Sequence, residues 1–188
     1  MSECSLIEEN GRAHFLTKRF DRVNGEKVHM QTLCAVAHYD YRLLRAYSYE
    51  QALNVMRTLR LPYSQAQEMF RRIVFNVVVR NQDDHTKNIS FLMDKNGKWR
   101  LSPAYDMGFS YNPDGGWTSQ HQMSINGKFD GITRSDLLEI AKRNNIKEAA
   151  EIIDQVSTVA SGWGSIASEC GVPDKMLDAI MAQFQFMH

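Results

Sequence analysis

Three oxygen-bearing side chains are the ones whose types and spacing could do chemistry: Asp83, Asn88 and Asp106. Asp83 is followed five residues later by Asn88, and Asp106 opens an Asp-x-Gly triplet with Met107 and Gly108. A carboxylate can take the proton of an attacking hydroxyl. An amide oxygen and a second carboxylate can hold Mg²⁺, a hard cation that takes oxygen ligands and keeps several waters. Phosphoryl transfer asks this of a protein, because positioning and charge stabilisation do most of the work. The interval Asp-x-x-x-x-Asn is the one found in protein-kinase catalytic loops. On these residues alone a plainer alternative stays open, in which Asp83 and Asp84 are solvated loop acids with His85 packed beneath them.

The flanking sequence says how these groups would be positioned. An apolar run, Phe75 to Val79, leads into a polar loop from Arg80 to Asn88. A hairpin is expected next: a strand over Ile89 to Met93, a turn over Asp94 to Gly97, and a return over Trp99 to Leu101. The Asn96-Gly97 pair predicts a tight primed turn with positive φ at both central residues. Such a hairpin would bring Asp83 and Asp106 to one of its ends. Upstream, Ser64 to Gln67 reads as a capping box opening a long helix from Gln65 to about Val79. Its broad stripe of Met69, Phe70, Ile73, Val74, Val77 and Val78 places it in the centre of the domain, with the loop delivered from its C-terminal end.

The run Asp83-Asp84-His85-Thr86-Lys87-Asn88, with Arg100-Leu101-Ser102-Pro103-Ala104-Tyr105-Asp106 after it, resembles the HipA family of bacterial serine/threonine kinases, the toxins of toxin–antitoxin pairs. Lys18-Arg19-Phe20-Asp21-Arg22 is similar to that family's hinge run, and the three motifs stand in the family's order. The resemblance implies an α+β, mostly helical fold: a protein-kinase-like C-lobe with short β-hairpins and no N-lobe. It implies ATP and Mg²⁺ as cofactors, with Asp83 as base and Asn88 and Asp106 as metal ligands. His85 would orient the loop, and Lys87 would neutralise phosphate charge. Adenine would bond to the backbone of Lys18 and Phe20, and Asp21 would face the ribose. The implied partners are a protein substrate, a helix-turn-helix antitoxin, and DNA only indirectly through that antitoxin.

Lys18 closes an apolar strand, but too little chain precedes it for a kinase strand lysine. No Gly-x-Gly-x-x-Gly and no Gly-x-x-x-x-Gly-Lys-Ser/Thr occurs to cradle phosphates. The expectation is therefore one domain over residues 1–188, of which 1–22 are a hairpin and hinge segment. The nucleotide-covering lobe would be missing or supplied by an upstream polypeptide. In isolation such a chain should bind nucleotide weakly and transfer little phosphate.

The rest of the chain reads as scaffold. An Asn10-Gly11 turn predicts a hairpin over residues 5–17, and Asn24-Gly25 a further turn. His29 to Ala37 predicts the start of a short helix. Ser48 to Gln51 is a capping box opening a helix through about Arg60. Phe109 to Trp117 is rich in turn formers and is expected to be a mobile segment, facing substrate in a kinase. Helices are expected over Ser135 to Arg143, Lys147 to Ala160, and from Pro173 onward; Gly162-Trp163-Gly164 carries little signal.

Composition narrows the class. Hydrophobic residues are 43% and charged residues 23%, as in an ordinary globular protein. The 22 basic and 22 acidic residues cancel, which argues against unaided nucleic-acid binding. Three scattered cysteines suggest neither a disulfide framework nor a zinc site, and fit a reducing cytoplasm. No apolar stretch approaches a membrane span, so no membrane partner is expected.

Other readings are open on the residues. A HipA-like binding module could associate with an antitoxin and DNA without catalysis. Asp-x-His-x-x-Asn is also similar to the loop of phosphoinositide kinases, although no basic amphipathic helix suits a membrane surface. A metal phosphohydrolase built on Asp83, Asp84, His85 and Asp106 would need more histidines close by than His14, His29, His38, His121 and His188 supply.

Overall fold

A computed structural model describes residues 1–187; His188, weighed above as a metal ligand, lies outside the described residues. In chain order the first elements are β1 (Cys4–Glu9), β2 (Arg12–Thr17), β3 (Arg22–Val23), β4 (Glu26–Lys27), β5 (His29–Thr32), α1 (Leu33–Val36), β6 (Tyr47–Ser48), α2 (Tyr49–Thr58) and α3 (Tyr63–Val78). There follow β7 (Ser90–Met93), β8 (Trp99–Leu101), a 3-10 turn (Trp117–Ser119), β9 (Met123–Ser124), α4 (Arg134–Arg143), α5 (Ala149–Ser161), α6 (Trp163–Glu169) and α7 (Asp174–Met181). The result is a helix-rich α+β fold with four small sheets among the described residues.

β1 and β2 pair antiparallel around Asn10 and Gly11, whose φ values of 52° and 73° make the primed turn that the pair favours. Every residue of both strands is exposed. β3 and β4 repeat the device around Asn24 and Gly25. The helix expected to start at His29 starts later. Residues 29–32 instead form β5, which pairs antiparallel with β7, and β7 pairs in turn with β8. Thr32 ends that strand and begins α1, its hydroxyl accepting from the Ala35 N–H at 3.2 Å. The helical spacing of the apolar residues could not reveal a pairing partner so far along the chain.

The β7–β8 hairpin is present, but its turn is not the primed one. Gly97 alone has positive φ, at 78°, and Asn96 does not. Asp94 decides the geometry, since its carboxylate accepts from the backbone N–H groups of Asn96 and Lys98 at 2.8 and 2.9 Å. An Asx turn of this kind competes with the two-residue primed turn.

α2 opens with the expected capping box, both halves of the Ser48–Gln51 exchange being formed. The second box does not form. α3 starts at Tyr63, after Pro62 in extended conformation, and no side chain caps it. The Gln67 side chain that would have closed the box is used elsewhere, its Nε2 donating to Glu148 at 2.8 Å, and Gln65 Oε1 accepts from the Leu101 N–H at 2.7 Å. Both bonds fasten α3 to its neighbours. Phe70, Ile73, Val74, Val77 and Val78 are fully buried, and Ile152, Ile153 and Val156 of α5 belong to the same core. The stripe therefore behaves as the central helix its pattern predicts.

α3 ends without glycine. Arg80 takes the left-handed conformation, φ 53°, and the Asn81 N–H donates to the Asn76 carbonyl at 2.8 Å. The Arg80 guanidinium lies 3.6 Å from the centre of the Tyr111 ring, which steadies that corner. The C-terminal segment returns here, the Gln185 N–H donating to the Val78 carbonyl at 2.8 Å. β6 and β9 form a short parallel pair. α4 is opened by a capping box between Thr133 and Asp136. α6 was not legible in the sequence; Gly162 ends α5 and at once begins it.

Candidate active site

The loop that α3 delivers is anchored on its inner side by Asp84. This carboxylate is 3% exposed and accepts from the Tyr49 hydroxyl at 2.7 Å, the His121 Nδ1–H at 2.8 Å and the Gln122 N–H at 2.7 Å. Asn76 Nδ2 donates to the Tyr49 oxygen at 2.8 Å, and Asn81 Nδ2 to Asn76 Oδ1 at 2.9 Å. Burial, reinforced by the Asp84 charge, pushes the Tyr49 phenol well above its usual range. Asp84 is thus no solvated loop acid but the centre of a buried polar network.

Asp83 faces the other way, with its side chain partly exposed. Its N–H donates to Ser110 Oγ at 3.0 Å, and Ser110 donates to Asn81 Oδ1 at 3.0 Å. Its Oδ1 accepts from the Trp117 indole N–H at 2.9 Å, with His85 Nε2 at 3.9 Å. The segment from Phe109 to Trp117 is therefore fastened at both ends, whereas the turn-forming composition had suggested mobility. Asn88 closes the loop on itself. Its Nδ2 donates to the Asp83 carbonyl at 2.9 Å, and its N–H to the His85 carbonyl at 2.9 Å. With the amide nitrogen so engaged, its oxygen is the group left for a hard cation. The first N–H groups of α1 hold the loop from above, Leu33 on the Ile89 carbonyl at 2.7 Å and Cys34 on the Thr86 carbonyl at 3.2 Å.

Asp106 is exposed and sits in the left-handed region at φ 55°. Among the described residues its carboxylate has no hydrogen-bonding or ion-pair partner. Its neighbour Tyr105 ties it to the loop: the phenol donates to the Lys87 carbonyl at 2.5 Å and also meets Ser90 Oγ. Burial raises that phenol above its usual range. Asn81 Nδ2 reaches the Asp106 carbonyl at 3.4 Å, so Asn81 and Ser110 bridge the Asp83 and Asp106 backbones. An amide oxygen and an unpaired carboxylate are a donor set that suits Mg²⁺. No cluster of three His, Cys, Asp or Glu side chains able to hold a metal occurs among the described residues, which the two-metal hydrolase reading would need.

The hinge run lies beside Asp106. Lys18, Phe20, Asp21, Met30, Ala104 and Asp106 line one cleft of about 300 Å³, with Phe15 of β2 on its rim. The Phe20 ring lies 5.7 Å from that of Tyr105. The Lys18 N–H is occupied by the Glu3 carbonyl at 2.9 Å. Asp21 accepts two bonds from Arg19, at 2.8 and 2.7 Å, and one from Arg22 at 2.6 Å. The Arg19 guanidinium, seconded by Arg22, holds its carboxyl below the usual range. Asp83 and Asn88 do not line this cleft; they join it through Asn81, Ser110 and Tyr105. Lys87 is not aimed at Asp83, because its ammonium rests 3.9 Å from the centre of the Tyr41 ring.

Asn81, Asp84, Ser110, Trp117 and His121 carry this arrangement, and none was singled out for it by the sequence. No spacing rule relates Tyr49 to Asp84 or Trp117 to Asp83. The only signal was the polarity of Asn76, set in an otherwise apolar helix end.

A profile of the HipA-like C-terminal domain matches residues 1–163. The chain belongs to the HipA-like C-terminal domain family. A Haemophilus influenzae protein named "Putative kinase" is 33% identical over 101 residues, which is 49% of this chain and 29% of that protein. "Putative kinase Y4dM" of Sinorhizobium fredii is 29% identical over 148 residues, 76% of this chain and 35% of its own length. The solved complex of HipA with HipB and operator DNA from Shewanella oneidensis contains a similar fold. Its TM-score is 0.71 at 20% identity, over 96% of this chain and 48% of that one. This HipA-like chain therefore spans about a third of the curated relatives it matches and about half of the structural one. No described helix is long and apolar enough to cross a membrane.

Proposed function

We propose that this HipA-like domain is the kinase-like C-lobe of a serine/threonine kinase that works with ATP and Mg²⁺. The observation that carries the reading is the cleft in which the hinge run and Asp106 meet, with Asp83 and Asn88 linked to it through Asn81, Ser110 and Tyr105. ATP supplies the phosphoryl group, and Mg²⁺ offsets its charge. The protein's share follows from its own atoms. The Lys18 carbonyl accepts from the adenine amino group and the Phe20 N–H donates to the ring, over a floor of Met30 and Ala104. Asp21 faces the ribose hydroxyls. The Asn88 amide oxygen and the Asp106 carboxylate hold the metal, and Asp83 takes the proton of the acceptor hydroxyl. His85, close to Asp83, steadies the loop, and Lys87 leaves Tyr41 to meet phosphate charge.

The remainder of the nucleotide site comes from a covering lobe or a further polypeptide, in keeping with the fraction of its relatives that this domain spans. The exposed β1–β2 hairpin beside the cleft suits such a partner. Because the structural neighbour was solved with HipB and operator DNA, a helix-turn-helix antitoxin is the second partner we infer, with DNA reached through it. The acceptor is a protein hydroxyl, and the setting is the cytoplasm. The test is phosphate transfer from radiolabelled ATP by the assembly co-purified with this chain. Asp83→Asn should lower the rate by about three orders of magnitude while the assembly stays intact. A near-normal rate would end the assignment.

A further inference from the structure

Directly after Asp106 the chain enters the wall of a second cavity, of about 670 Å³, which Met107 and Phe109 line on one side. Phe75 and Val79 of α3 face it, Val156 and Val159 of α5 continue it, and Trp163 and Phe184 close it. The Phe184 ring lies 5.6 Å from that of Trp163 and 6.5 Å from that of Phe109, so the three rings make one continuous wall. Val79 and Val156 are 5 and 8% exposed and lie at its depth. Val159 and Ile166, 72 and 55% exposed, stand at its mouth. An apolar hollow of this volume with few polar groups is the kind of site a small organic ligand occupies.

The charge at the cavity says which ligand. No acid lines it, and its one charged residue is Arg71, on α3 one turn before Phe75. Arg71 Nη1 donates to Gln155 Oε1 at 3.0 Å, which leaves the other donors of the fork unspent. Among the described residues no carboxylate pairs with it. The next residue, Arg72, is by contrast bound to Glu68 and to the Ser102 carbonyl, each at 2.8 Å. A free guanidinium fork at the edge of an apolar hollow is complementary to a planar carboxylate carrying an apolar tail. A flat protein surface would cover Val159 and Ile166 but leave Val79 and Val156 unmet. A slender chain reaches both. Ile166 and Phe184 lie beyond the residues that match the HipA-like profile, so part of the site comes from outside the matched segment.

We propose that this cavity binds a free medium-chain fatty acid anion, with its carboxylate on Arg71 and its tail against Val79, Val156 and the wall of rings. The tail also packs on Met107 and Phe109. It thereby restricts the segment that carries Asp106 and favours the left-handed conformation, φ 55°, that Asp106 adopts. Fatty acid and metal are then coupled, each strengthening the binding of the other. That coupling rests on the kinase reading, which assigns Asp106 to the metal; the fatty acid site itself does not.

The experiment titrates the full chain by calorimetry with decanoate, decanol and octanoate, each below the concentration at which it aggregates. Decanoate should bind about ten times more tightly than decanol, the gain from one charge-assisted bond. It should also bind about ten times more tightly than octanoate, which buries two fewer methylenes. Arg71→Gln, a change at an exposed position, should erase the preference over decanol and leave decanol binding as it was. Phosphatidylglycerol vesicles, which offer acyl chains only within a bilayer, should not capture the chain. No decanoate binding, equal binding of decanoate and decanol, a preference that survives Arg71→Gln, or capture by the vesicles in place of decanoate would overturn the proposal. With ATP present, decanoate should raise the affinity for Mn²⁺ about fivefold. Unchanged Mn²⁺ affinity would overturn the coupling. No Mn²⁺ bound at Asp106 in any sample, with the decanoate preference intact, would leave the fatty acid site standing and remove the kinase reading.

Discussion

The Tyr49 hydroxyl, on the first turn of α2, donates to the Asp84 carboxylate at 2.7 Å, inside the protein and between segments distant in the chain. Asp84 thereby pins the loop, while Asp83 beside it stays partly exposed, with the Trp117 indole and His85 near its carboxylate. Two adjacent acids of the same type carry different duties. One sets the shape of the loop, and the other stays partly open to solvent.

Asp84→Asn should therefore act on stability. The carboxylate accepts on both oxygens, from Tyr49 and His121 on one and Gln122 on the other. An amide would turn its NH₂ group toward one of those donors. We expect a loss of about 2–4 kcal/mol in urea unfolding, the range for a buried charged acceptor that is spoiled. A loss as small as that of a surface change would show that the network does not hold the loop.

Tyr105→Phe should loosen the link between Asp106 and the loop. It removes the O–H that donates to the Lys87 carbonyl and meets Ser90. A cost of about 1–2 kcal/mol is expected for leaving those groups unpaired. Amide hydrogen exchange at Asn88 and Ile89 should quicken well beyond any change in α5.

Acid stability turns on Asp136. Burial alone would raise its pKa, but bonds from Lys128 at 2.8 Å, Asn126 at 3.0 Å and the Thr133 hydroxyl at 2.7 Å outweigh that and hold the carboxyl well below its usual range. A pKa lowered by folding adds stability above the unfolded value of about 3.9 and loses it as pH falls through the folded value. The protein should lose stability below about pH 4, and Asp136→Asn should flatten that part of the curve. Denaturant midpoints measured across the acid range check both statements.

Much of this was readable from local chemistry. The Ser48 capping box, the Asn10-Gly11 hairpin and the stripe of α3 each depend on residues a few places apart, and each formed. The family was also legible, because Asp83, Asn88 and Asp106 stand in a recognisable order and the HipA-like C-terminal domain matches residues 1–163. What stayed hidden depended on distant partners. β5 is a strand only because β7 pairs with it, and the expected box at Ser64 gave way once Gln67 bonded across the fold. The Asp94 carboxylate overrode the primed turn that Asn96-Gly97 favours. Nothing in the local sequence separates Asp84 from Asp83, and only the packing of Tyr49 and His121 does so.

Whether Asn88 and Asp106 together hold a divalent cation against nucleotide is best measured by NMR of the full chain, with Mn²⁺ standing in for Mg²⁺ and ATP added. The account predicts paramagnetic broadening centred on the amides of Asn88, Asp106 and Met107, ATP-dependent shifts at Phe20 and Asp21, and loss of the broadening in Asp106→Asn. Broadening that centres elsewhere on the surface, or that persists unchanged in Asp106→Asn, would contradict it.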